Sequence, residues 1–182
     1  MYLLAKNKIS QIDFVVLIMK RIFLTAVLAI GLFFCEAQTI PSWRINQVKN
    51  YYSKKSDSVY VINFWATFCK PCIAEIPYLQ SVSRKYASQK VALLLVSLDL
   101  PAFYPGTVKK FADKNGITAP IVWLNESNAD YFCPIVDKQW SGSMPATLFV
   151  NAATGYRKFI ESEMTEVQFE TELKRTIKGI SK

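Results

Sequence analysis

Apolar and polar residues follow two periods along this chain, and the switches between them mark its elements. Val59-Tyr60-Val61-Ile62-Asn63-Phe64 is rich in β-branched and aromatic residues and reads as a buried strand. Val91 to Leu98 is apolar throughout except for Ser97, which predicts a central strand covered on both faces. Ile121–Leu124 and Ala146–Val150 read as further strands. Asn151-Ala152-Ala153-Thr154-Gly155 turns the chain, so Tyr156–Ile160 returns as the antiparallel neighbour of Ala146–Val150. Helical spacing appears elsewhere. Ile45, Val48 and Tyr52 predict a helix over Trp43–Ser53. Ile73, Ile76, Leu79 and Val82 predict one over Lys70–Tyr86, kinked at Pro77. Short helices are expected over Thr107–Lys114, closed by Asn115-Gly116, and over Ser127–Phe132. Leu100–Gly106, with two prolines, reads as a loop. Thr165 with Gln168 forms a capping box for a last helix carrying Phe169, Leu173, Ile177 and Ile180. The expected order is α-β-α-β-α-β-(α)-β-β-α.

The N-terminus reads differently. Lys20-Arg21 precedes an uncharged apolar stretch from Ile22 to Phe34, and Cys35-Glu36-Ala37 follows. That is the layout of an export signal, with cleavage expected between Ala37 and Gln38. Residues 1–37 are therefore a targeting segment and 38–182 the working domain. Met1 and Met19 are both candidate starts. Thirteen apolar residues are few for a bilayer span. Cys35 as a lipid anchor and an uncleaved membrane tether remain alternatives, although Phe33-Phe34 stand where a lipoprotein signal needs small residues. The net charge is +8. Residues 1–37 contribute +2 (Lys6, Lys8, Lys20 and Arg21 against Asp13 and Glu36), which leaves +6 for the rest. No basic cluster is dense enough for a nucleic-acid footprint.

The chemistry centres on Cys69-Lys70-Pro71-Cys72, between the first long strand and the helix after it. The start of a helix presents unpaired N–H groups and partial positive charge, which favour a thiolate. Cys69 is thus expected to be an activated nucleophile. A haem attachment site needs a histidine after Cys72, and the chain contains none. Structural zinc needs about four ligands, and only Cys35 and Cys133 remain to supply them. A purely structural disulfide over so short a loop constrains little. Redox exchange leads these readings, with no metal and no cofactor expected. A peroxidase reading lacks a Thr-x-x-Cys arrangement.

Asn63-Phe64-Trp65-Ala66-Thr67-Phe68-Cys69-Lys70-Pro71-Cys72, then Glu75 and Pro77, resembles the thioredoxin superfamily. Within it the likeness is to TlpA/ResA-like thiol–disulfide oxidoreductases of the bacterial cell envelope. Trp140-Ser141-Gly142-Ser143-Met144-Pro145-Ala146-Thr147 resembles the segment that holds the family's cis-proline. The likeness runs from about Ser42 to about Ile180. It implies a thioredoxin-like α/β fold, with a mixed central sheet, helices on both faces and a βα insertion between Val91 and Ala146.

Roles follow for individual residues. Cys69, the more exposed cysteine, attacks a substrate disulfide, and Cys72 resolves the mixed disulfide. Glu75, three residues on, shares the face of Cys72 and is expected to take its proton, with a pKa raised towards neutrality; the plainer reading is a surface Glu favouring the helix dipole. Asn63 stands where many thioredoxins carry a buried Asp. The resemblance implies a cis bond before Pro145, with the backbone of Met144 pairing an extended substrate; the alternative for Met144 is core filling. Lys70 and Pro71 tune the dithiol. Phe68 and Trp65 flank it as apolar walls, Trp65 equally fitting the core, and Trp140 packs. Cys133 is either a free buried thiol or a second redox partner beside the pair. The expected activity is reduction of protein disulfides in exported proteins, apocytochrome c among them, by a monomer recharged from a membrane-embedded electron donor. A disulfide oxidase or isomerase, and a binding module without turnover, are the alternatives.

Overall fold

The computed structural model describes residues 16–21, 23 and 39–179. The chain divides into two compact units, Met1–Gln38 and Thr39–Lys182. Residues 16–21 are helical. Cys35, the apolar stretch from Leu24 to Phe34, the Ala37–Gln38 junction and Ile180 lie outside the described residues. Among the described residues no helix is long and apolar enough to cross a membrane.

The second unit is built on one six-stranded sheet. Its strands are β1 (Ser42–Trp43), β2 (Val59–Trp65), β3 (Val91–Ser97), β4 (Ile121–Leu124), β5 (Ala146–Asn151) and β6 (Tyr156–Ile160). They lie in the order β1-β4-β3-β2-β5-β6. The first four are parallel, while β5 runs antiparallel to β2 and β6 to β5. Five helices cover the sheet: α1 (Ile45–Ser53), α2 (Lys70–Lys85), α3 (Gly106–Lys114), α4 (Ala129–Val136) and α5 (Glu166–Lys178). The sheet is mixed with helices on both faces, as expected.

Alternation along β2 divides the core in two. Val59, Val61 and Trp65 face a cluster holding Ile76 and Leu79 of α2, Val108 of α3 and Phe169 of α5. Tyr60, Ile62 and Phe64 face the other cluster, with Ile45 and Val48 of α1 and Phe132 and Cys133 of α4. Leu79 is fully buried, worth roughly 2 kcal/mol of apolar transfer. The last helix has its expected capping box, and Gly179 closes it at φ +64°.

Several boundaries differ from expectation. Trp43 is not helical: Trp123 N–H donates to the Pro41 carbonyl and Asn125 N–H to the Trp43 carbonyl, which makes Ser42–Trp43 an edge strand. α4 starts later and runs past Pro134 to Val136. Pro134 removes one hydrogen bond, while Phe132, Cys133 and Val136 are buried. The 100–106 loop contains a 3₁₀ turn at Pro101–Phe103 and a second cis bond, Tyr104–Pro105. Asn151 belongs to β5, not to the turn. Its amide donates to the carbonyls of Thr176 and Ile177 and accepts from the N–H groups of Ala153 and Thr154. Ile73 is only half-buried, because Cys72, Glu75 and Ile76 take the inner face of α2.

Candidate active site

β2 ends at Trp65, and the chain turns through Ala66–Phe68 to the start of α2. Cys69 is the residue capping that helix, in an extended conformation, and its Sγ accepts from Cys72 N–H at 3.3 Å. Cys69 and Cys72 form a disulfide, with Cα atoms 5.3 Å apart. Cys69 is 9% exposed and Cys72 fully buried. The expected difference in exposure exists, but it is small.

The turn is clamped by a residue that sequence reasoning missed. Asp99, just past β3, is 3% exposed. Its carboxylate accepts from Thr67 N–H at 3.1 and 3.2 Å, Thr67 Oγ1 at 2.5 Å and Ser97 Oγ at 2.8 Å. Its carbonyl accepts from Trp123 Nε1 at 2.7 Å. A buried carboxylate needs such partners. Nothing in Ser97-Leu98-Asp99 announced this, since Thr67 lies 32 residues away.

Glu75 is not a surface residue; it is fully buried. Asn63 Nδ2 donates to its Oε1 at 2.7 Å and Met164 N–H to its Oε2 at 3.4 Å. Burial drives its pKa up to about 7; the Asn63 and Met164 donors pull against that rise, and the charge of Glu163 adds to it. Asn63 Nδ2 donates also to Thr147 Oγ1 at 3.0 Å. A carboxyl, an amide and a hydroxyl thus form a polar group inside the apolar cluster that contains both cysteines.

The remaining expected residues divide between core and surface. Of the two readings of Trp65 the core one holds: it is fully buried and packs against Phe111 at 5.9 Å between ring centres. As the last residue of β2 it points with Val61 into the helix-covered face that holds α2. Phe68 is 60% exposed, and Lys70 and Pro71 are exposed beside it. The Met144–Pro145 bond is cis, Pro145 is buried, and half-buried Met144 packs against the cluster containing Cys69 and Cys72. Trp140 packs on Phe64, Phe132 and Phe159, with Nε1 donating to the Ser143 carbonyl. Cys133 is a free thiol buried on the opposite face of the sheet, which rules out partnership with the pair.

Sequence comparison fits this geometry. A sequence model described as the AhpC/TSA family matches residues 37–155, more than half of the chain. The chain belongs to the AhpC/TSA family. This family member is similar to thiol-disulfide oxidoreductase ResA of Geobacillus kaustophilus, at 29% identity over 138 residues, 74% of each chain. ResA of Geobacillus thermodenitrificans is 31% identical over 105 residues, covering 58% of this chain and 55% of that one. The thioredoxin-like protein YneN of Bacillus subtilis is 32% identical over 100 residues, or 53% and 58% of the two chains. The chain thus spans about three quarters of the first relative and little more than half of the other two. A thioredoxin-related protein of Neisseria meningitidis serogroup B superposes with a TM-score of 0.57 at 23% identity, over 66% of this chain and 86% of that one. A thiol:disulfide interchange protein of Chlorobium tepidum TLS gives 0.53 at 20% identity, over 66% and 81%. These structures establish the thioredoxin-like fold. The bonded Cys69–Cys72 pair thus sits on a thioredoxin-like fold in a chain similar to proteins named thiol-disulfide oxidoreductases.

Proposed function

We propose that the chain is an exported reductase of protein disulfides, with Cys69 as nucleophile, Cys72 as resolving thiol and Glu75 as proton acceptor for Cys72. The observation that carries this reading is the buried carboxyl of Glu75, one helical turn past Cys72 on the same inward face of α2. A thiol at a buried position loses its proton only to a nearby base. A carboxyl poised at about 7 accepts and returns a proton at physiological pH.

Each step conserves atoms and electrons. The Cys69 thiolate attacks one substrate sulfur, forming a mixed disulfide and releasing the other sulfur as a thiolate that takes up a proton. Cys72 gives its proton to Glu75 and attacks Cys69 Sγ. The Cys69–Cys72 bond forms, and the second substrate sulfur leaves and is protonated. Two electrons pass to the substrate. Recharging needs a dithiol donor, for which a membrane-embedded electron carrier is proposed. The N–H groups at the start of α2 support the Cys69 thiolate. Exposed Phe68, Lys70 and Pro71 and the Met144–Pro145 segment are the proposed substrate contacts, with buried Trp65 in the same core cluster as Met144. Export rests on the charged-then-apolar sequence before Ala37 and on the oxidising compartment that such a dithiol serves. Disulfide-bearing envelope proteins are the proposed clients.

Insulin-disulfide reduction tests the assignment. The wild type is expected to precipitate insulin chains with a thiol donor present, and Cys69→Ser to lose this activity. Cys72→Ser is expected to accumulate mixed disulfides. Equal rates for wild type and Cys69→Ser would refute the reductase reading. A reduction potential near that of the strongly oxidising periplasmic enzymes, about −120 mV, would assign the chain to oxidation instead.

A further inference from the structure

Asn63 is wholly buried on β2, between α2 and β5. A side-chain amide offers two hydrogens and one acceptor oxygen. Here both hydrogens are used, one on Glu75 Oε1 at 2.7 Å and one on Thr147 Oγ1 at 3.0 Å. Among the described residues nothing bonds to the amide's buried oxygen, Oδ1. This orientation places both amide hydrogens on oxygens of neighbouring side chains. The opposite orientation would turn Oδ1 towards both neighbours. It could then accept from a protonated Glu75 and from the Thr147 hydroxyl, and would suit the neutral acid. The orientation present suits the carboxylate.

We infer that Asn63 and Thr147 are positioning residues for Glu75. Thr147 accepts one amide hydrogen and so fixes the other on the carboxyl, which keeps Glu75 ionisable inside an apolar core. This deepens the assignment of Glu75 as proton acceptor and rests on it. Burial alone would hold the carboxyl neutral and useless as a base. Among the described residues no cation stands against it to counter that: the groups acting on Glu75 besides Asn63 are Glu163, on the loop before α5, and the Met164 N–H, and Tyr78 on α2 lies within its field. The Cys69–Cys72 disulfide itself does not titrate. Correction of the burial effect falls to neutral donors, and Asn63 Nδ2 is the nearer of the two.

The test is a carbon-detected NMR titration of the Glu75 carboxyl in the full, oxidised chain, where the paired cysteines are silent. Asn63→Leu is expected to raise the Glu75 midpoint by about one pH unit, a tenfold gain in proton affinity. Thr147→Val is expected to move it the same way, and Thr147→Ser, which keeps the hydroxyl, to leave it unmoved. A general loss of packing would not separate Val from Ser in this manner. An unchanged midpoint in Asn63→Leu, or equal shifts in the two Thr147 variants, would overturn the inference. Should Asn63→Leu fail to fold, the Thr147 pair decides. Resolution of mixed disulfides by Glu75→Gln at the wild-type rate would strike the assignment of Glu75 as base while leaving the positioning intact, so the two failures are distinguishable.

Discussion

Replacing Glu75 by glutamine removes one titration and almost no volume, so it isolates the energetic consequence of burying a carboxyl at this place. The folded chain holds Glu75 at about 7, against 4.5 for the free side chain. The folded state therefore binds this proton roughly 300-fold more tightly than the unfolded state, equivalent to about 3 kcal/mol. The folded pKa is the higher one. Its contribution to stability is present in full below pH 4.5 and is lost as pH rises through about 7. A glutamine amide does not titrate, so the stability difference between Glu75→Gln and wild type must change across that window. At about pH 5 the two are expected to lie close together. By about pH 8.5 the variant is expected to be more stable by about 3 kcal/mol, or about 1.5 M in urea midpoint at a slope near ~2 kcal/mol per molar. Urea unfolding of both oxidised proteins at several pH values measures this directly, and titrations that do not feel the Glu75 charge cancel in the difference. A difference independent of pH would mean that Glu75 is either solvated or ionised throughout, and it could not then serve as a poised proton acceptor. The same variant is expected to lose the proton acceptor for Cys72, so gain in stability and loss of turnover should go together.

Other expectations concern the frame around the dithiol. Asp99→Ala strands the Thr67 amide and hydroxyl and the Ser97 hydroxyl, and is expected to cost about 3 kcal/mol by urea unfolding and to slow reduction of a small aromatic disulfide. Gly179→Ala puts a Cβ 2.6 Å from the Thr154 side chain at φ +64°, and is expected to lower stability by about 1–2 kcal/mol while leaving disulfide exchange intact. The Cys133 thiol is pushed up to about 11, first by burial and then by the charges of Glu161 and Asp130. It is expected to resist alkylation at about pH 8 in the native chain, and Cys133→Ala to keep insulin-reducing activity; rapid labelling of Cys133 would contradict its burial.

Elements with strong local signals were legible from residue order. β3 announced itself by seven nearly unbroken apolar positions, and the last helix by Thr165 and Gln168 three residues apart. β1 was not legible: two residues become a strand only because Trp123 and Asn125 bond to the chain beside them. Trp65 carried no sign of whether it lines a wall or fills a core, because its direction depends on the register of β2 against β3 and β5. Glu75 could be proposed as an acid–base group with a raised pKa from its spacing and the family resemblance, but the donors that meet its carboxyl could not.

The sequence by itself determined what is decided within a few residues: a redox-capable pair of thiols at the head of a helix, the strand before it and the periodic faces behind it. The tertiary structure alone decided which groups meet across long separations. Asn63 lies 12 residues from Glu75 and 84 from Thr147, and Thr67 lies 32 from Asp99. Periodicity carries information over one or two turns, whereas the removal of water that raises a carboxyl's pKa, and the donors that restrain it, come from elements joined only when the sheet closes.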